Sequence, residues 1–161
     1  MEVYYEKHII HRSQSYKITP ELRTALQNTI ENFISNGAVN FYTGGAIGFD
    51  TLCAETVAEL RQKYPQIRLC LLLPCPPAEQ TMHWRNDQKE KYQKILSQAD
   101  EVKICSEKYF NGCMKIRNAR LIEKADAVIC YCKTASSGTG QTIEMARKKG
   151  IETVNLISFS G

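Results

Sequence analysis

Two stretches of this chain are apolar at nearly every position: residues 67–73, broken only by Arg68, and residues 127–132, broken by nothing. A strand that alternates apolar and polar residues faces a core on one side. A strand apolar throughout is covered on both sides, as in a parallel sheet between two helix layers. Pro74 ends the first of these strands. Helical patterns separate them from the rest. Over residues 19–36, Leu22, Leu26, Ile30 and Phe33 share one face, Thr19 caps the first turn, Pro20 suits the first helical position and Asn36-Gly37 closes the helix. Residues 39–42 form a short strand. Residues 51–64 form a helix with Cys53, Val57, Leu60 and Tyr64 on one side, stopped by Pro65. One long helix is expected over about 79–97, a strand over 101–104, a helix over 114–124, a helix over 139–149 closed by Gly150, and a strand over 152–157.

Alternating strands and helices imply parallel pairing through right-handed crossovers. The expectation is a single α/β domain over residues 1–161, a Rossmann-like three-layer arrangement with a mostly parallel sheet flanked by helices. Ligands of such sheets sit beyond the carboxyl ends of the strands. Three loops meet that condition: residues 43–50, 105–112 and 133–139.

Composition narrows the class. Of 161 residues, 43% are apolar and 24% charged, the balance of a globular protein large enough to bury a core. No apolar run approaches the roughly 20 residues that cross a bilayer. The first residues lack the basic and apolar segments of a secretory signal, so a cytoplasmic protein without a membrane partner is expected. The net charge of +4 is mild and spread along the chain, which argues against a general nucleic-acid coat. Seven cysteines in a chain of this kind read as free thiols. Cys53, Cys70, Cys130 and Cys132 fall in apolar positions, while Cys105 and Cys113 flank a loop and are expected to be more accessible. The pairs Cys70/Cys75 and Cys130/Cys132 do not have zinc-site spacing, and no metal is expected.

The most informative segment is Thr43-Gly44-Gly45-Ala46-Ile47-Gly48-Phe49-Asp50, which passes from strand to helix. Glycines permit a tight turn and a close approach, and a helix start offers amides and a positive dipole end to an anion. A carboxylate repels phosphate, so Asp50 beside such a cradle suits a ribose hydroxyl. The plainer alternative is a tight turn with Asp50 as helix cap. The spacing is neither the dinucleotide fingerprint nor a P-loop, because G-x-G-x-x-G is absent and no Lys follows. No cofactor is therefore assigned.

The run from Thr43 to Glu55 resembles the signature of the YpsA-like proteins of the SLOG superfamily, which also holds DprA and the LOG phosphoribohydrolases. The resemblance continues through Leu73-Pro74-Cys75, Trp84 with Asp87, Tyr92, Ala99-Asp100, Tyr109, Gly112-Cys113-Met114, Arg117-Asn118 and Gly138-Thr139. It implies a Rossmann-like fold and a nucleotide or nucleotide-derived small molecule as ligand. On that basis the expected ligand-binding residues are Thr43, Gly44, Gly45, Gly48, Asp50, Trp84, Arg117, Ser137, Gly138 and Thr139. Trp84 has two readings, stacking on a base or anchoring its helix. Arg117 also has two, gripping a phosphate with its planar fork or forming a surface ion pair. Two departures stand out. Family members open with a strand ending in Thr-Gly-His-Arg, where this chain has Ile9-Ile10-His11-Arg12. Ser137 replaces the first glycine of a Gly-Gly-Thr, which limits access to positive φ.

The LOG enzymes pair an arginine in a Met-x-x-Arg context with a glutamate just after a Gly-Thr turn. Met114-Lys115-Ile116-Arg117 matches the first. For the second, Thr142 stands three residues past Thr139, and Glu144 lies two further on. Two residues turn a helix by roughly 200°, so Glu144 is expected to point away. Without a placed carboxylate the cleavage lacks its acid–base member. Binding or sensing is thus the leading function and no catalytic residue is assigned. The alternatives are LOG-like hydrolysis of a nucleoside monophosphate and DprA-like binding of single-stranded DNA. Lys89, Lys91 and Lys94 do not share a helical face, which weighs against nucleic acid. A homo-oligomer is compatible with the sequence.

Overall fold

The computed structural model describes residues 3–8, 18–133 and 138–159. The strands are β1 (Val3–His8), β2 (Ala38–Thr43), β3 (Arg68–Leu73), β4 (Glu101–Ile104), β5 (Ala127–Cys130) and β6 (Glu152–Asn155). They form a six-stranded, wholly parallel sheet in the order β4-β3-β2-β1-β5-β6. The chain steps outward from β1 to β4, then returns to lay β5 along the other side of β1. Strand order reverses at that point, which is where ligands of open α/β sheets collect.

Helices α1 (Pro20–Ser35), α2 (Phe49–Leu60), α3 (Pro77–Gln80), α4 (Asn86–Gln98), α5 (Cys113–Lys124) and α6 (Gly138–Lys148) join the strands. The period of two in a strand sorts the side chains between two layers. Phe41, Leu69, Leu71, Leu73 and Ile129 bury against α1, α2 and α4. On the opposite face Tyr42, Cys70 and Leu72 meet Leu121 of α5, while Val128 and Cys130 meet Ile122 of α5 and Ala146 of α6. Both faces of β3 and β5 are covered, as their uninterrupted apolar composition requires.

Three differences from the sequence expectation have local causes. The helix expected over about 79–97 is two helices. Thr81 ends α3, with its hydroxyl donating to Pro77 O at 2.8 Å, and Arg85 opens α4, its amide donating to Gln88 Oε1 at 3.0 Å. The central strand β1 had no apolar run to mark it. The strand expected over 152–157 stops at Asn155, whose side-chain amide takes over the pairing: it accepts from Cys132 N and donates to Cys132 O, each at 3.1 Å. A short 3-10 turn, Ile157–Phe159, follows.

Asp100 fixes the outer half of the sheet. Its Oδ2 accepts from Leu69 N at 2.8 Å and from Arg61 Nη1 at 2.6 Å, and its own amide donates to Leu69 O. Arg61 also donates to Gln98 O at 2.6 Å, so the ends of α2 and α4 are tied to the start of β3.

Candidate functional site

Strand β2 runs directly into the glycine turn, which lies at the carboxyl edge of the sheet and opens α2. Gly45 has φ +73° and Gly48, the residue preceding the helix, has φ +95°, left-handed conformations that a side chain would strain. Gly48 offers α2 no side-chain cap. Asp50, in the first turn of α2 and only 1% exposed, reaches back so that Oδ2 accepts from Ala46 N at 3.0 Å. Thr51 Oγ1 donates to Ala46 O at 3.2 Å. Ala46 is thus held through both of its backbone groups.

Arg117 holds the other end. It comes from α5 on the opposite face, is 4% exposed, and donates from Nη1 to Gly44 O at 2.6 Å. Its Nε donates to Asn118 Oδ1 at 2.8 Å and its Nη2 lies 3.7 Å from Met114 Sδ. A Cβ on Gly44 would fall 2.1 Å from Nη1, so this glycine makes room for a guanidinium. Gly45 has a comparable reason: its Cβ would meet Leu73 Cδ2 at 2.9 Å and Tyr92 Cε2 at 3.2 Å. Burial lowers the proton affinity of Arg117, and the negative charge of Asp50 is the main influence opposing that shift. The fork expected to grip a phosphate is therefore directed at the backbone of the turn. The other reading of Arg117, a surface ion pair, is at odds with its burial, and it forms none among the described residues.

Tyr92 carries the site outward. Its hydroxyl donates to Gln80 Oε1 at 2.7 Å, and burial pushes its ionisation up. Trp84, half-buried between α3 and α4, sits edge-on to Tyr92 with ring centres 5.2 Å apart. Two buried polar atoms near the turn, Thr43 Oγ1 and Gln80 Nε2, have no hydrogen-bond partner among the described residues. Gln80 was absent from the sequence reading. A lone glutamine in a four-residue helix has no pattern to expose it, and only its tie to Tyr92 brings it to the site.

The remaining expected residues lie elsewhere or beyond description. Ser137 and His11 fall outside the described residues. Gly138 and Thr139 open α6. Thr142 is buried, whereas Glu144 is exposed and forms an ion pair with Arg147 at 3.7 Å. Lys91 and Lys94 are exposed. Cys113 is a correction: as the first residue of α5 it is buried, where loop flanking predicted access, and Cys132 is half-buried instead. Burial, with Cys113 as the next influence, pushes the Cys75 thiol up to about 11. Among the described residues no three His, Cys, Asp or Glu side chains gather to hold a metal ion, and no helix is long and apolar enough to cross a membrane.

A doubly wound parallel sheet with a glycine turn at the carboxyl end of β2 defines a Rossmann-like domain. Within that class the chain belongs to the YspA SLOG family, whose pattern it matches over residues 6–159. It is 31% identical to a UPF0398 protein of Bacillus cereus (strain G9842) over 132 residues, covering 80% of this chain and 71% of that one. A UPF0398 protein of Bacillus thuringiensis (strain Al Hakam) is also 31% identical, over 140 residues, with 86% and 75% covered. Among solved structures it resembles DNA processing protein A of Helicobacter pylori, described for its single-stranded DNA binding mode, with a TM-score of 0.65 and 22% identity. DprA of Streptococcus pneumoniae superposes with a TM-score of 0.64 and 14% identity. Each alignment takes in 95% of this chain, which spans only 64% and 50% of the respective DprA chains. At those identities the likeness is one of fold.

Proposed function

We propose that this protein binds a nucleotide-derived ligand on the turn from Gly44 to Asp50. The observation that carries the reading is that α2 begins at the carboxyl edge of a parallel sheet with no side-chain cap, on a turn braced at both ends. First-turn amides and the helix dipole favour an anionic oxygen there, and bracing by Arg117 and Asp50 removes the entropy cost of ordering the turn at binding. A carboxylate accepts more than one hydrogen bond, so Asp50 can hold Ala46 and still meet a ribose hydroxyl. Gln80 Nε2 and Thr43 Oγ1 supply further polar atoms beside the turn. In this reading Trp84 flanks the approach to the turn. Binding is favoured over LOG-like hydrolysis because Glu144 is engaged with Arg147 on an exposed face of α6.

The test is thermal unfolding with AMP, ADP, ADP-ribose and NAD, using wild-type protein and Asp50→Asn. At least one compound should raise Tm in the wild type, with a ligand at a hundred times its Kd worth about 2.7 kcal/mol. The gain should be lost in Asp50→Asn. No stabilisation across the panel, or equal stabilisation in the variant, overturns the proposal. Free base released from a monophosphate would favour the hydrolytic reading. A salt-sensitive shift of single-stranded DNA would favour the one suggested by the fold neighbour.

A further inference from the structure

From the outer edge of the sheet we infer that two copies of this chain join through β4, making one continuous sheet across a two-fold axis. Seven large apolar side chains are exposed among the described residues, and four of them, Val102, Ile104, Tyr109 and Phe110, lie on β4 and the loop after it. Val102 is 41% exposed and Ile104 47%. Such a concentration on one edge marks an interaction surface. Charged residues on a short edge strand ordinarily discourage pairing, but here the two signs alternate with the apolar residues in the sequence Glu101-Val102-Lys103-Ile104.

Backbone geometry and charge favour a register centred on Val102. Cys105 N donates inward to Leu73 O. Bonding residues alternate along a strand, so Glu101 and Lys103 also bond toward β3, while Val102 and Ile104 turn their amides and carbonyls to the open edge. An antiparallel partner centred on Val102 lets the two Val102 residues exchange both hydrogen bonds. It also sets each Glu101 opposite the other copy's Lys103, at the close spacing of a non-hydrogen-bonded pair. Centring on Lys103 or on Glu101 would instead oppose like charges. In the single chain Glu101 already accepts from Lys103 at 2.9 Å and lies 3.7 Å from Arg68, so both charges are held at the edge. The occupant is a second copy because the three-residue run Glu101-Val102-Lys103 is complementary to itself when reversed.

Sedimentation velocity of the full chain from roughly 1 to 100 µM tests this. Wild-type protein should dimerise within that range. Lys103→Glu and Glu101→Lys should each weaken the dimer at least about tenfold, and the double swap E101K/K103E should restore it. A monomer throughout, unaffected single variants, or a folded double swap that stays monomeric overturns the inference. Amide exchange of the wild type gives a readout independent of the variants. Val102 and Ile104 should be protected in the concentrated sample and exchange freely on dilution; free exchange at both concentrations also overturns it.

Discussion

Gly44 and Arg117 make their main contact with each other. Placing a methyl group on Gly44 forces the guanidinium from its 2.6 Å bond to the Gly44 carbonyl, so Gly44→Ala should cost about 1–3 kcal/mol in urea unfolding. Arg117→Met leaves that buried carbonyl without its charged donor and should cost about 2 kcal/mol. The double variant should cost clearly less than the sum, because the methyl group then enters space the guanidinium has left. Additive costs would show that the two residues act separately. At this scale the sequence displayed that the glycines matter but not why. Their spacing suggested approach by a ligand, whereas Gly44 faces Arg117 and Gly45 faces Leu73 and Tyr92. Such contacts join residues far apart in the chain and leave no local pattern. Gln80 was missed for the same reason.

Elements are held to one another by few polar clamps, and one of these is sensitive to acid. Glu31 of α1 accepts from the Tyr64 hydroxyl at 2.6 Å, from Gln27 at 3.0 Å and from Lys63 at 3.2 Å, linking α1 to the segment after α2. These bonds, that from Tyr64 foremost, hold its carboxyl at about 2 against an ordinary 4.5. The folded value is the depressed one, so the contribution is complete above the ordinary value and disappears as pH falls through the folded one. Wild-type protein should therefore exceed Glu31→Gln in urea stability at pH 6, with the gap closing between about pH 4.5 and pH 2. A gap independent of pH would exclude the ionised carboxylate as its source. Element order was largely legible, because apolar periodicity and the caps at Thr19-Pro20 and Gly150 are local signals. The break between α3 and α4 was not: residues 78–98 contain no glycine or proline, and the chain turns there to bring Trp84 onto Tyr92. Strand β1 escaped periodicity as well, since Val3-Tyr4-Tyr5-Glu6-Lys7-His8 mixes polar and aromatic residues although it lies at the centre of the sheet. The family resemblance alone pointed to a strand near it.

Across the whole molecule, two covered sheet faces separate the thiols into classes. Burial pushes Cys70 and Cys75 up to about 11 and Cys130 to about 12, leaving little thiolate at neutral pH, while Cys105 and Cys132 are half-buried. Mass-spectrometric mapping of iodoacetamide labelling on native protein should show Cys105 and Cys132 modified first, with the buried thiols slower by roughly a hundredfold or more. Uniform labelling would mean that the faces open readily. The same architecture bears on the order in which the molecule assembles. Gly44 and the arginine that braces it are 73 positions apart, and between them the chain travels to one edge of the sheet and back. Long-range closures of this kind form slowly. An isolated β2–α2 unit would own the glycines yet lack the brace, so the cradle matures only when α5 docks. If the turn holds a ligand as proposed, binding would report that α5 has docked, and a chain cut short before α5 would be silent to it.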